Sequence, residues 1–255
     1  MTTNLSKNTI KLIKSLRRKK FRQKYNKFIV EGDKMIKEIL LQESFKLDQL
    51  FAVDTWLKTN ESLFELQQQQ VFSVSSSTLK QISELKTPNQ VLAIIESPTY
   101  SLDENSLKNN VNLYLDDIQD PGNLGTIIRI ADWFGISQVI CSKGTVDVYN
   151  EKVIQATMGA FLRVKTPVSS LNEIQTHCPD IPIYGALMDG ESIFTTSFPK
   201  SGILVIGNEG NGISMESQKL LTKRITIPAA ENSVAESLNA AVATGIICSV
   251  WKNGQ

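Results

Sequence analysis

Short apolar runs alternate with amphipathic stretches along most of the chain. Residues 91–95 and 203–206 are apolar throughout and rich in β-branched side chains, which is typical of strands covered on both faces. Residues 124–134 and 237–251 repeat apolar side chains at helical spacing. No apolar run approaches the roughly 18 residues of a membrane span. The alternation predicts an α/β fold with a parallel sheet.

A polar stretch rich in Asn, Asp and Ser divides this pattern in two. We therefore predict a domain over residues 1–97, a linker over 98–111 and a second domain over 112–255. The first domain is expected to be a small α/β domain that begins with a basic helix over residues 9–24.

Charge is unevenly distributed, although the net charge is only +1. Ten Lys and Arg residues precede the first acidic residue, Glu31, and the rest of the chain holds 17 basic and 26 acidic residues. Lys and Arg displace counterions from phosphates, so the basic run favours contact with nucleic acid; a solvated basic helix is the alternative. The candidate RNA contacts are Lys14, Arg17, Arg18, Lys19, Lys20, Arg22 and Lys24.

Cysteine and histidine are too scarce for several kinds of site. The three cysteines are widely spaced without a Cys-x-x-Cys pair, and His177 is the one histidine in the sequence. A zinc site or a Ser-His-Asp triad therefore lacks its residues, and we expect no metal. The odd cysteine count and the polar, basic N-terminus favour a cytoplasmic location without a membrane partner.

The segment 116–129 combines a strand end, a Pro-Gly turn and the start of a helix. Asn123 lies at that start, and Arg129 follows among apolar residues. Each residue also has a structural interpretation, because Asn123 is a plausible helix N-cap and Arg129 a plausible partner in an ion pair. Ligands bind at strand ends in open α/β sheets, which makes both residues site candidates.

Two later segments have the same character. Residues 206–214 place three glycines around Glu209, without the Gly-Lys-Ser or Gly-Lys-Thr of a P-loop, and a tight turn is the alternative interpretation. Residues 225–243 carry Ser237 and Asn239 before a helix rich in Ala and Val. Ser237 is a plausible cap for that helix, whereas Asn239 is harder to explain as structure.

In order, these three segments resemble the three signature motifs of the SpoU/TrmH family of RNA ribose methyltransferases in the SPOUT superfamily, over residues 112–251. Phe-Ile-Val-Glu-Gly at 28–32 is similar to the family's substrate-binding domain, which folds like certain RNA-binding ribosomal proteins. The resemblance implies a parallel-sheet domain with a C-terminal trefoil knot, preceded by a small ribosomal-protein-like α/β domain. It also implies a homodimer packed through the last helix.

The resemblance further implies an enzyme that uses S-adenosyl-L-methionine to methylate a ribose 2′-hydroxyl. The implied catalytic residues are Arg129, Asn123, Glu209, Ser237 and Asn239. The implied cofactor contacts are Gly207, Ile227, Leu238, Leu187, Thr157, Met158 and Gly159. The loop 230–236 is about two residues longer than the family pattern, which puts contacts by that loop in doubt.

The separate N-terminal domain favours ribosomal RNA over transfer RNA as the partner. A catalytically silent RNA-binding homologue remains an alternative, as does a dehydrogenase, although no Gly-x-Gly-x-x-Gly follows the first strand of either half. If the first domain only selects RNA, deletion of residues 1–95 should leave cofactor binding intact.

Overall fold

The computed structural model describes residues 4–64 and 70–254. Along the chain the elements are α1 (Lys7–Leu16), α2 (Lys19–Tyr25), β1 (Lys27–Glu31), α3 (Asp33–Leu40), β2 (Leu47–Ala52), α4 (Asp54–Thr59), β3 (Gln70–Ser73), α5 (Ser76–Ile82), β4 (Val91–Glu96), α6 (Glu104–Asn109), β5 (Val111–Asp116), α7 (Pro121–Trp133), β6 (Val139–Cys141), α8 (Glu151–Thr157), α9 (Leu171–His177), β7 (Ile183–Ser192), β8 (Gly202–Gly207), α10 (Met215–Gln218), β9 (Lys223–Thr226) and α11 (Ala240–Asn253).

The chain forms two compact units. The first unit consists of Met1–Pro98 together with Tyr149–Leu162, and the second of Thr99–Val148 with Arg163–Gln255. Helix α6 lies within the stretch predicted as a linker. The segment 149–162 thus leaves the second unit and returns to it, an excursion that the sequence pattern did not predict.

The first unit is built on a four-stranded sheet in the order β1-β4-β2-β3. Alternate residues of its strands face two separate apolar clusters, because successive side chains of a strand point to opposite faces. Phe28 and Val30 pack with helix α3 on one face, and Ile29 packs with α1 and α5 on the other. The α/β character predicted for residues 1–97 is confirmed.

The segment 149–162 completes the α3 face of this sheet. Ile154, Phe161 and Leu162 are buried in the same cluster as Phe28. The Phe161 ring meets the rings of Phe28 and Phe45 edge to face, with centroids 6.1 and 5.6 Å apart. Edge-to-face aromatic pairs add to the stabilisation that comes from burial alone.

The predicted basic helix over residues 9–24 is wrong in one respect, because it is two helices. Arg18 adopts an extended conformation (φ −97°, ψ 129°) and separates α1 from α2. The Arg22 guanidinium donates hydrogen bonds to the carbonyl oxygens of Leu16 and Arg17, each at 2.8 Å. Arg22 therefore satisfies the backbone groups that the break leaves without helical partners.

Glu151, the first residue of α8, lies in a buried charged cluster of the first unit. Its Oε1 is 3.8 Å from Nε of Arg17, which also pairs with Glu84 at 2.8 Å. Burial raises the pKa of Glu151 to about 7, and Arg17 offsets this effect only in part, while Glu84 and Glu31 add to it. The folded state therefore binds a proton that the unfolded chain releases at lower pH.

Replacement of Glu151 by Gln should stabilise the protein at alkaline but not at acidic pH. Between the ordinary carboxyl pKa and about 7, the folded state holds more protons than the unfolded state, so the free energy of unfolding of the wild type falls as pH rises through that window. E151Q does not titrate, and its gain should reach about 1–3 kcal/mol near pH 8 and vanish at about pH 3.5, below the ordinary carboxyl pKa. Denaturant titrations at both pH values measure it, with the exposed substitution E61Q as control; an equal gain at both would contradict the assignment.

The second unit is a five-stranded sheet in the order β6-β5-β8-β7-β9, and each pair of neighbouring strands is parallel. This confirms the predicted parallel sheet; the trefoil knot stays a prediction. Helix α11 packs against α7 and β8. Trp251 of α11 is buried, stacks on Phe198 and donates a hydrogen bond from Nε1 to the carbonyl of Pro199 at 2.8 Å.

Within residues 4–64 and 70–254, no helix has the length and apolarity needed to cross a membrane. The same residues contain no cluster of three or more His, Cys, Asp or Glu side chains arranged to hold a metal ion.

Candidate active site

Two loops of the second unit are joined where neighbouring parallel strands end. Asp116, the last residue of β5, pairs with Gly207, the last residue of β8. The Asp116 carboxylate accepts a hydrogen bond from the backbone N–H of Ser214 at 2.8 Å, and the Asn208 amide donates to the Asp117 carbonyl at 2.7 Å. The loops that follow the two strands are therefore held against each other.

Gly207 is required by the turn itself. A Cβ atom at this position would lie 2.3 Å from the Gly212 carbonyl carbon, because the backbones of Asn208 and Gly212 exchange hydrogen bonds of 3.0 and 2.9 Å. The segment 206–214 thus contains the tight turn that was its alternative interpretation. The cofactor contact that the resemblance implies for Gly207 stays a prediction.

A polar network links residues that lie far apart in the sequence. The Glu209 carboxylate accepts hydrogen bonds from the backbone N–H groups of Gln119 and Asp120, both at 3.2 Å, and from the Asn123 amide at 2.9 Å. The Asn239 amide donates in turn to Oδ1 of Asn123 at 2.8 Å. Three of the five predicted catalytic residues thus form one network, which we call the 123–209–239 network.

The donors around Glu209 keep its carboxyl group ionised. Burial works against ionisation, but the Asn123 side chain and the backbone N–H groups together hold the pKa of Glu209 below its ordinary value. A carboxylate that accepts several N–H bonds is favoured in its charged form. The network therefore has a fixed direction of donation, from Asn239 through Asn123 to the Glu209 anion.

Two predictions about helix caps need correction. Asp120, not Asn123, caps α7, because its side chain accepts the N–H of Asn123 at 2.8 Å. Asn239, not Ser237, caps α11, since its Oδ1 accepts the N–H groups of the second and third helical residues. Ser237 is exposed, and its side chain makes no hydrogen bond within the described residues. Both capping residues are also held by the 123–209–239 network, Asp120 through its backbone N–H and Asn239 through its side-chain amide.

Asn239 has two separable functions, which substitutions can distinguish. Asn239→Ala removes both the cap and the donor to Asn123, and should lower the free energy of unfolding by about 1–2 kcal/mol. Asn239→Ser keeps a capping oxygen and loses only the amide donor, so it should retain most of the stability. Chemical denaturation of both variants measures this difference, and equal losses would show that the cap contributes nothing.

Arg129 lies on α7, in the second helical turn after Asn123. Its side chain is exposed and makes no hydrogen bond or ion pair within the part of the chain that the structure describes. A neighbouring cation behaves differently, since Arg163 holds the Asp132 carboxylate of the same helix at 2.8 Å. The ion-pair interpretation of Arg129 therefore has no partner among the described residues, and its guanidinium can take an external oxygen ligand.

Three of the predicted cofactor contacts lie on or directly after neighbouring strands: Leu187 within β7, Gly207 at the end of β8 and Ile227 after β9. Gly185 of β7 pairs with Val205 of β8, so Leu187 and Gly207 come to the same edge two residues later. Ile227 directly follows β9, which pairs with β7. All three are partly buried. A methyl donor that is held by main-chain groups fits this arrangement.

The remaining predicted cofactor contacts are placed differently. Leu238 is exposed in the loop before α11. Thr157, Met158 and Gly159 belong to the first unit, where Thr157 is buried and Met158 has a left-handed backbone with φ 51°. These four contacts stay predictions.

The seven predicted RNA contacts fall into two groups. Arg22 is only 4% exposed, and Arg17 pairs with Glu84 and donates to the Ile82 carbonyl at 2.6 Å. The structure therefore opposes the prediction for Arg22, whose guanidinium cannot reach a phosphate, and it gives Arg17 internal partners. The other five are exposed: Lys14, Arg18, Lys19, Lys20 and Lys24.

Sequence reasoning missed several residues that build the site. Asp116, Asn208, Gln119 and Asp120 supply the hydrogen bonds that hold the two loops and Glu209. The sequence shows polar residues directly after apolar strands, which is a sign of a site. It does not show which distant groups these residues bond to.

Two family models match successive parts of the chain. The model described as the SpoU rRNA Methylase family matches residues 110–249. The model described as the MRM3-like substrate binding domain matches residues 7–93. The two matches together span nearly all of both units.

Individual proteins are similar over almost the full chain. The 23S rRNA (guanosine(2553)-2′-O)-methyltransferase RlmP of Bacillus subtilis is 29% identical, over 92% of each chain. A solved structure described as a TrmH-family RNA methyltransferase of Porphyromonas gingivalis is 37% identical with a TM-score of 0.88, over 98% of this chain and 99% of that one.

A second solved structure, an AdoMet-bound rRNA methyltransferase of Sinorhizobium meliloti, is 26% identical with a TM-score of 0.89, over 99% of this chain and 97% of that one. Because the first family model covers more than half of the residues, the chain belongs to the SpoU rRNA Methylase family.

Proposed function

We propose that this protein transfers a methyl group from S-adenosylmethionine to a ribose 2′-hydroxyl of ribosomal RNA. The observation that carries the proposal is the 123–209–239 network, which lies at the start of helix α7. The same helix carries Arg129, whose exposed side chain has no partner within the described residues. The names of the similar proteins agree, since RlmP is named for 2′-O-methylation of 23S rRNA and the S. meliloti protein was solved with AdoMet bound.

Main-chain groups at one edge of the sheet would hold the cofactor, near Leu187 of β7, Gly207 at the end of β8 and Ile227 after β9. When bound, S-adenosylmethionine supplies an electrophilic methyl on a sulfonium. The chain supplies orientation, which is the usual contribution of a protein to cofactor chemistry.

Arg129 would position the nucleophile. Arginine has five N–H donors and no acceptor, so it is suited to hold a phosphate or ribose oxygen and to stabilise negative charge that develops there. Asn123 and Asn239 fix the start of the helix that carries Arg129, and Ser237 lies exposed before α11 as a further hydroxyl. The proton of the ribose hydroxyl would leave to a neighbouring phosphate or to water.

Two observations support a homodimer. Helices α7 and α11 leave a groove of about 600 Å³, lined largely by Ile130, Val242, Gly245 and Ile246. Trp133 on α7 is 85% exposed. Exposed apolar surface of this kind is typical of interfaces, and a second copy of the chain is the occupant that the family resemblance implies.

Incubation of the full chain with methyl-labelled S-adenosylmethionine and 23S rRNA tests the proposed function. Label should appear in a 2′-O-methylated nucleoside after complete RNA digestion, and sedimentation should give twice the chain mass of 28.4 kDa. Label on transfer RNA alone would redirect the proposal to that substrate. Cofactor binding without transfer to either RNA would favour a silent RNA-binding protein.

A further inference from the structure

A second cavity lies in the first unit, and no residue so far assigned a function lines it. It opens where the parallel strands β2 and β3 end and where residues 88–90 enter β4. Its volume of about 560 Å³ falls within the roughly 300–1,000 Å³ of ordinary ligand sites. We call it the first-unit groove, and its bounding residues lie between Val53 and Gln90.

The floor and the rim of the first-unit groove differ in chemistry. Val74 and Leu79 are buried and, with Pro88, give the groove an apolar part. Side chains at the rim carry hydroxyl, amide and ammonium groups. An apolar surface bordered by hydrogen-bonding groups suits a planar base, which has an apolar face and a polar edge.

The polar side chains at the rim are not used by the fold. Lys80, Asn89, Gln90 and Thr55 are exposed, and their side chains make no hydrogen bond or ion pair within the described residues. Asp54, by contrast, accepts a hydrogen bond from the Ser73 hydroxyl. The groove thus offers one cation, two amides and the Thr55 hydroxyl to an external ligand, with the Asp54 carboxylate on the same lining.

We propose that the first-unit groove binds one unpaired nucleotide of the RNA substrate, an inference that rests on the proposed function. The base lies on the partly exposed Val53 and Pro88, beside the buried Val74 and Leu79, and its edge bonds to the amides of Asn89 and Gln90. Lys80 takes the adjacent phosphate. RNA-binding domains read sequence mostly in single-stranded nucleotides whose bases are splayed out of the stack, because the deep groove of duplex RNA hides the base edges.

This site adds recognition to the basic helices. Lysines on the exposed surface of α1 and α2 bind phosphate wherever the backbone passes, which gives affinity without selection. The groove instead accepts only a nucleotide that is free to leave the helix. The first unit therefore selects RNA that carries an unpaired nucleotide.

Substitutions in the full-length protein test the groove through two different contacts. K80A should weaken binding to a 23S rRNA transcript about 10-fold and reduce the slope of log K against log salt by about 0.7–1, as expected for one lost phosphate contact. N89A/Q90A should weaken binding about 10-fold with an unchanged salt slope, since uncharged contacts release no counterions. With a perfect RNA duplex as the probe, neither variant should differ from the wild type.

The matched control is K58A, which removes an exposed lysine of α4 that does not line the groove. It should bind RNA as the wild type does, and all variants should bind S-adenosylmethionine normally. If the wild type methylates RNA while K80A and N89A/Q90A bind it undiminished, the groove assignment is overturned and the proposed function stands. Groove-dependent RNA binding without methyl transfer would support the groove and overturn the proposed function. Equal losses on duplex RNA would overturn the selection of an unpaired nucleotide.

Discussion

Phe161→Ala should lower the free energy of unfolding of the first unit by about 3–5 kcal/mol. The phenylalanine is 3% exposed and its ring contacts Phe28 and Phe45, so truncation leaves a cavity between the sheet and its covering segment. Phe161 lies within the range matched by the methylase family model, although its segment belongs to the first unit. This loss would therefore show that residues 149–162 stabilise the unit formed by residues 1–98. Denaturant unfolding followed by the fluorescence of Trp56, which is buried in the same cluster, measures it.

Phe194→Ala provides the matched control. Phe194 is 67% exposed in the second unit, and its removal should change the free energy of unfolding by less than about 0.5 kcal/mol. Similar losses from the two substitutions would contradict the assignment of residues 149–162 to the first unit's core.

The same packing changes an expectation drawn from the sequence. Deletion of residues 1–95 was expected to leave cofactor binding intact, but it would also remove the partners of Ile154, Phe161 and Leu162. Their apolar surface would then meet water in the remaining fragment, and we expect that fragment to aggregate or to unfold locally. Selective point substitutions are therefore the better test of the first unit.

Arg129→Ala should reduce methyl transfer about 100-fold or more, the usual effect of removing a preorganised donor from a reacting oxygen. The affinity for S-adenosylmethionine should stay close to that of the wild type, because none of the predicted cofactor contacts lies on α7. Stability should not fall, since the side chain is exposed and has no partner within the described residues. Titration calorimetry with the cofactor and single-turnover methyl transfer measure the two effects separately.

Arg163→Ala controls for the loss of a guanidinium. Arg163 pairs with Asp132 of the helix that carries Arg129, and an exposed pair of this kind contributes about 0–1 kcal/mol. Its removal should leave methyl transfer within about a factor of 2. Near-normal transfer by R129A would remove Arg129 from the mechanism, and an equal loss in R163A would point to a general effect of charge.

Several features were determined by the sequence alone. The apolar runs at 91–95 and 203–206 are strands, because a continuous run of β-branched residues can be buried on both faces of a sheet. Ser75 caps α5, because a serine directly before a helix can accept an N–H of its first turn. The order of the three signature segments was enough to indicate the family, since the residues of each segment are contiguous in the sequence.

Other features depended on the tertiary structure. Asn123 pairs with Glu209 and Asn239, which are 86 and 116 residues away, and Arg22 is buried under a helix break that no periodicity revealed. Residues 149–162 have an ordinary helical pattern, which predicts that an apolar face is buried but not against which sheet. The physical reason is that local sequence sets which side chains avoid water, whereas strand order and chain crossings decide which distant groups satisfy one another.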